Sequence, residues 1–481
     1  MSEQTTSKID KRIPSLIIFV MLLTLFFLSY LALTSQLIIF HDSIGYQNLA
    51  EMFTRGQWKE YFTTGPSREP LYSLVIALAM RIAQWQNLDY LAVQVMIQVT
   101  ILILSQFLTY KLLKKMQISD GICALTLAYM GFSPALTSSG LILFSEIITY
   151  PIVLWLILSL SQAWSALKIV SLKQNITNAF QFAVPALLIT LTKASFELII
   201  PIVLTPFLWI AYQSLRKGNK KIAVNALIFI VTVFCFLELP IVAYKLTNQH
   251  YNGVYALTDR GPEALYGNTA RRMQPISKER IQTALAYMAG PDVCSKLYGE
   301  RCLPWAFLAS DILGNDKIKS LRSQGLTRPQ INDLCIKESM TSVLENPIQY
   351  FLLSLIESFK ILFWEAPEIS YVVYPDAIDK IYNGLWLRYP LRFAMALVSG
   401  WVVLLGVAQA WTNRKRFFDP DQDFDERTSL HFFLLLIIIV FTGLHSIFLI
   451  LPRYALPVAP LFLALIAWQF DIITKKKRAR T

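Results

Sequence analysis

Six ionisable side chains stand beside apolar blocks of this 481-residue chain, and their types suit transfer of a group from an anionic carrier to a hydroxyl. Asp42 lies in HDSIGYQNLA, Arg68 and Glu69 in GPSREPLY, Glu146 in LFSEIITYP, Lys193 in LTKASFE and Arg453 in LPRYALPVAP. An acceptor hydroxyl is too weakly acidic to attack a sugar carbon unaided. A carboxylate in a partly desolvated cleft has its pKa raised toward the task of taking that proton. A departing phosphate needs little protonation, but its charge must be held by Arg, Lys or a metal. One carboxylate on the face opposite the phosphate would give inversion in a single displacement. Each residue also has a plainer reading. Asp42 suits the N-cap of a helix begun at Ser43, and Glu146 suits the positive end of a helix dipole. Lys193 and Arg453 suit interfacial anchors. Convergence of all six on one face is what favours chemistry.

The elements that must position them are membrane helices. Hydrophobic residues make up 55% of the chain and charged ones 16%, and the mean hydropathy is +0.47. The apolar residues come in blocks near the length that crosses a bilayer. The net charge of +12 sits in short clusters beside those blocks, which speaks for helix orientation rather than nucleic acid. The fold class expected is an all-α polytopic bundle with both termini cytoplasmic, in a bacterial plasma membrane. The run from Pro14 to Phe40 follows Lys8, Lys11 and Arg12 and reads as a retained first helix, too long for a signal core.

Placing basic clusters inside gives ten spans, or twelve on an alternative topology. They are 14–40, 90–110, 122–137, 147–167, 180–191, 198–212, 222–244, 393–411, 432–451 and 454–473. The inside clusters are Lys111 to Lys115, Lys168 and Lys173, Arg216 to Lys221, Arg414 to Arg416, and Lys475 to Arg480. Leu71–Trp85 has no room to cross and reads as an amphipathic helix on the outer surface. Tyr350–Trp364 carries Glu357 and Lys360 and reads as another surface helix, or as one of a pair of crossings with a partner in 366–389. Three units follow: a transmembrane catalytic module over 1–244, an extracytoplasmic loop domain over 245–390, and C-terminal spans over 391–481. Within the loop, Cys294 and Cys302 are eight residues apart, a separation that permits a disulfide in an oxidising compartment. Pairing of either with Cys335 is the alternative.

An aspartate after helix 1, a Glu-Pro pair before a surface helix, a carboxylate opening helix 4 and R-Y-x-L-P-x-x-P before the last helix together resemble the GT-C superfamily. The likeness covers roughly 40–215 and 430–470 and is narrower toward the polyprenyl-phosphate-sugar branch, which holds protein O-mannosyltransferases and the lipid A aminoarabinose transferase. The resemblance implies a glycosyltransferase using a polyprenyl-phosphate-sugar donor and a glycan, lipid or protein acceptor. It implies catalytic roles for Asp42, Glu69 and Glu146, and donor-phosphate binding by Arg453, Lys193 and Arg68. Departures are His41-Asp42 in place of paired acids, Glu69-Pro70 in place of a basic-proline pair, and Lys193 where many relatives carry Arg. No cofactor is firmly implied, and a divalent metal stays open. Tyr46, Tyr454 and His445 are taken as lining the substrate cleft, although a histidine on a span is more often packed. A transporter or flippase would instead place charges at mid-bilayer on broken helices, and a silent subunit of the same fold would carry the same helices without turnover.

Overall fold

The computed structural model describes residues 13–305, 307–366, 371–422 and 425–478, and these are almost wholly helical. Lys8, Lys11, Arg12 and Arg480 lie outside the described residues. The chain is an all-α polytopic bundle. Among the described residues, eight helical stretches are long and apolar enough to cross a membrane: Ser15–Thr34, Tyr90–Lys115, Glu146–Ala166, Phe196–Arg216, Lys220–Asn252, Leu385–Lys415, Glu426–Phe448 and Pro452–Arg478. That is fewer than the ten or twelve expected. The other two expected spans are helices, but one has only 13 residues and the other opens with the polar run Lys173, Gln174 and Asn175.

The first half comprises α1 (Ser15–Thr34), α2 (Asp42–Thr54), α3 (Trp58–Thr64), α4 (Pro70–Gln86), α5 (Tyr90–Lys115), α6 (Asp120–Phe132), α7 (Pro134–Ser139), α8 (Glu146–Ala166), α9 (Leu172–Thr190), α10 (Phe196–Val203), α11 (Thr205–Arg216) and α12 (Lys220–Asn252). Their ends follow local chemistry. Proline opens α4, where its missing N–H costs nothing. Asp89 caps α5 by accepting from the Ala92 amide at 3.3 Å, and Ser171 caps α9 by accepting from Gln174. The α12 helix runs beyond the expected boundary at 244 and stops at Gly253, whose φ of 80° few other residues adopt easily.

The intervening stretch is helical too: α13 (Gly261–Arg272), α14 (Lys278–Ala289), α15 (Pro291–Tyr298), α16 (Phe307–Ser323), α17 (Arg328–Glu345), α18 (Pro347–Ser358) and α19 (Asp376–Tyr382). Cys294 and Cys302 form a disulfide with Cα atoms 5.8 Å apart, and Cys335 is free and buried. Among the described residues no helix long enough for the alternative pair of crossings is found there, since α18 has 12 residues and α19 has seven. Instead, Glu357 of α18 is buried and accepts from Arg271 at 2.6 and 2.8 Å, from Arg272 Nε at 2.9 Å and from Lys360 at 2.8 Å. The chain closes with α20 (Leu385–Phe418), α21 (Glu426–Phe448) and α22 (Ala459–Arg478), the last entered through a 3₁₀ turn, Pro452–Val458.

Two helices are central. The most apolar windows of α8 and of the last span are 78% and 72% buried, against 28% for α1. The ends of the bundle differ in chemistry. At one, Lys115 pairs with Glu426, Lys217 pairs with Asp419 and Asp421, and Asp471 accepts from the Ser119 amide. This basic end gathers the C-termini of α5, α11, α20 and α22. The opposite end holds the start of α8 and the turn before α22. Since α5 runs away from it, α4 has both termini there and lies across that end. Single cysteines at Asn87 and at Lys476, in a Cys235→Ser background, should therefore react with an impermeant maleimide from opposite sides of a sealed vesicle. Reaction of both from one side would overturn the parity. Mass spectrometry of unreduced protein should return Cys294 and Cys302 in one linked peptide, and breaking so short a loop should lower stability by about 2–3 kcal/mol.

Candidate active site

Delivery of Asp42 begins with a two-stranded ribbon. Residues 36–37 pair antiparallel with 372–373, Gln36 opposite Val373, and the Ile38 amide donates to the Tyr371 carbonyl at 2.9 Å. The chain then kinks at His41, where φ is 45°, a region that a non-glycine residue enters at a cost of order 1–3 kcal/mol. Asp42 is the first residue of α2, so its carboxylate stands at the positive end of that helix.

The Asp42 carboxylate bridges two arginines. One oxygen accepts from Arg68, in the turn before α4, and the other from Arg453, before α22. Arg260, just before α13, stands 3.9 Å from the first oxygen. Arg453 also lies over the Phe144 ring, 4.8 Å from its centroid, and Arg68 lies over Tyr46 at 5.6 Å. Flat apolar faces thus hold both guanidinium planes. The turn carrying Arg68 is gripped from the loop region. Gly65 adopts φ 76°, and Arg328 donates to the Thr64 carbonyl at 2.8 Å while pairing with Asp259 at 3.1 Å.

The other carboxylates hold the link between α9 and α10. Glu146 opens α8 with its side chain only 5% exposed and pairs with Lys193 at 3.0 Å. Glu69 accepts from the Ala194 amide at 2.8 Å, and the Leu71 amide donates to the Leu191 carbonyl at 3.0 Å. Tyr46 hydrogen-bonds Ser145 at 2.9 Å. Near the C-terminus of α21, His445 stacks against Phe441 with centroids 4.3 Å apart and faces Tyr454 at 5.8 Å.

All nine cleft and charge positions drawn from the sequence, Asp42, Tyr46, Arg68, Glu69, Glu146, Lys193, His445, Arg453 and Tyr454, line one cavity of about 280 Å³. Two charged liners come from the middle of the chain and were not anticipated: Arg260 and Asp311. Arg260 precedes a Gly-Pro pair that opens α13, a legible helix start. Nothing local signals that it reaches Asp42. With these included, the lining carries four cations and four carboxylates. Among the described residues, no three His, Cys, Asp or Glu side chains form a metal-holding group.

The electrostatics differ from one expectation. Partial desolvation was expected to raise the pKa of Asp42. Burial does push it upward, but Arg453 and Arg68 overrule burial, and the carboxyl falls below its ordinary value. Burial also opposes the charge on Lys193, yet Glu146 holds its pKa above normal. Asp311 goes the other way, raised first by burial and then by the Asp42 charge. Burial pushes the Tyr46 phenol up to about 12, so it remains a hydroxyl. The site therefore holds an ionised carboxylate under arginine control and a second, more basic one on α16. The chain matches no protein-family model, and no curated protein matches it.

The depressed pKa of Asp42 has a stability consequence. A carboxyl lowered on folding contributes stability that is fully present above its unfolded value, near pH 4, and is lost as pH falls through the folded value. Asp42→Asn should cost about 1–3 kcal/mol at pH 7 by leaving two arginines unneutralised. The deficit should shrink as wild type and variant are compared by thermal unfolding at progressively lower pH. A deficit constant from pH 7 to pH 3 would separate the stability effect from the charge.

Proposed function

We propose that this chain is a membrane glycosyltransferase of the polyprenyl-phosphate-sugar-dependent GT-C type. It moves a monosaccharide from the lipid-linked donor to a hydroxyl of a glycan, lipid or protein acceptor, with inversion. The cavity faces the non-cytoplasmic side of a bacterial plasma membrane, and both termini are cytoplasmic. The observation that carries the reading is the Asp42 bridge. A carboxylate able to take a proton is held by arginines able to take a phosphate, where the end of the bundle meets a surface helix. A transporter would be expected to place such groups on broken helices at mid-bilayer.

Donor phosphate and Asp42 compete for the same guanidinium groups. Arginine binds phosphate oxygens as a fork, and Arg453 sits at the start of the last span, where a lipid phosphate would lie. A phosphate taken up by Arg453 and Lys193 draws Arg453 from Asp42, and the carboxylate regains basicity as the donor arrives. Asp42 then accepts the proton of the acceptor hydroxyl. The acceptor oxygen forms its bond to the anomeric carbon while the bond from that carbon to the phosphate oxygen breaks. The phosphate leaves with the electron pair, balanced by Arg453, Lys193 and Arg68. Glu69 and Glu146 keep Lys193 in place. A divalent metal remains an additional means of holding the phosphate, and no step above depends on one.

Asp42→Asn should insert and bind lipid-linked sugar yet lose on the order of 10²–10⁴ in turnover, measured as donor consumed by purified protein with candidate acceptors. Near-normal turnover would make Asp42 a structural tie alone. Arg453→Ala should raise KM for donor far more than for acceptor, with Lys only partly restoring it. The acid limb of kcat/KM reports the base in the free enzyme. With Asp42 as base it falls below the ordinary aspartate value, and with Asp311 above it.

A further inference from the structure

A cavity larger than the Asp42 site lies away from it, at the basic end. It has a volume of about 880 Å³ and is formed by α11, α20 and α21, within the size range of ligand cavities. Its walls are apolar along the helices, with Val407, Ala410, Phe432, Leu435, Leu436 and Ile439, and charged only at one end, with Lys217, Arg414, Lys415 and Asp419. Trp209 and Trp411 flank it and are 48% and 68% exposed, as tryptophans are where a bilayer meets water.

The charges at that end are unequal in their commitments. Lys217 is bound by Asp419 at 2.5 Å and Asp421 at 2.7 Å. Arg414 folds over the Trp411 ring, 4.3 Å from its centroid, and donates to the Trp411 carbonyl. No carboxylate pairs with Arg414 or Lys415 among the described residues. The groove thus offers a long apolar channel that ends in two cations with no carboxylate partner among the described residues.

We infer that this groove is a binding site for an anionic phospholipid of the leaflet on the basic side, with acyl chain between α11 and α21 and headgroup phosphate on Arg414 and Lys415. Basic pockets between membrane helices select anionic headgroups by this charge complementarity. A zwitterionic lipid fills the apolar channel equally well but brings a choline cation to the same place. Selectivity between headgroups therefore rests on the two cations and not on the channel. The site shares no residue with the Asp42 cavity, so it stands whether or not the chain is a glycosyltransferase.

The test is native mass spectrometry of the full chain in mixed micelles holding equal amounts of phosphatidylglycerol and phosphatidylcholine with identical acyl chains. Wild type should retain phosphatidylglycerol preferentially. The exposed double variant R414Q/K415Q should lose the preference by about fivefold per charge, while K475Q/K476Q/K477Q, at the same end but outside the groove, should keep it. A photoactivatable phosphatidylglycerol should label peptides of α11, α20 and α21, and Ala410→Trp should abolish that labelling. Equal retention of the two lipids by wild type would overturn the inference. So would an undiminished preference in R414Q/K415Q, or labelling confined to other helices.

Discussion

The carboxylate of Asp42 is shared by two arginines that lie 26 and 411 residues away in the chain. Burial alone would drive such a group to its neutral form. The guanidinium charges reverse that, and in return the ionised carboxylate keeps the arginines from repelling one another. The turn before α4, the start of α2 and the turn before α22 are thereby held around one cavity. Glu146 and Glu69 repeat the arrangement on a smaller scale, one holding the ammonium group of Lys193 and the other the backbone beside it. Each carboxylate in this group secures a different segment, and the charges become mutually dependent.

Much of the bundle was legible because bilayer crossing imposes length and apolarity, both visible in a single sequence. The two expected spans that fail those measures, α6 and α9, are helices packed on the bundle along one face, α6 against α1 and α5 and α9 against α8 and α12. The extension of α12 past residue 244 was not legible, because a helix leaving hydrocarbon need not change its backbone when its side chains become polar. Gly253 is the residue that stops it. The disulfide followed from spacing, whereas the burial of Glu357 did not, since its three cationic partners come from α13 and from the turn after α18.

At the site, residue types and their common end could be read, but partners could not. Asp42 was expected to be a carboxylate raised by desolvation and instead is bound by two arginines, because the side chain of Arg68 turns toward α2 while its neighbour Glu69 turns toward α10. Sequence adjacency does not encode that divergence. Arg260 and Asp311 were missed for a related reason. Arg260 precedes α13 and Asp311 lies on α16, and only the packing of α13 against α16 brings both to the cavity.

The two ends of α13 are anchored very differently. Its C-terminal residues Arg271 and Arg272 are locked to buried Glu357, and Arg272 and Asn268 also bond the Ile447 and Phe448 carbonyls that end α21. Its N-terminal end meets the cavity through Arg260, whose approach to Asp42 is long and whose side chain is 38% exposed. A helix of 12 residues is a rod of about 18 Å. The helix therefore joins the buried Glu357 cluster to the Asp42 cavity, and along its length it packs on α16 and α17. The place of Arg260 at the cavity is thus set in part by charges buried one helix length away, around Glu357.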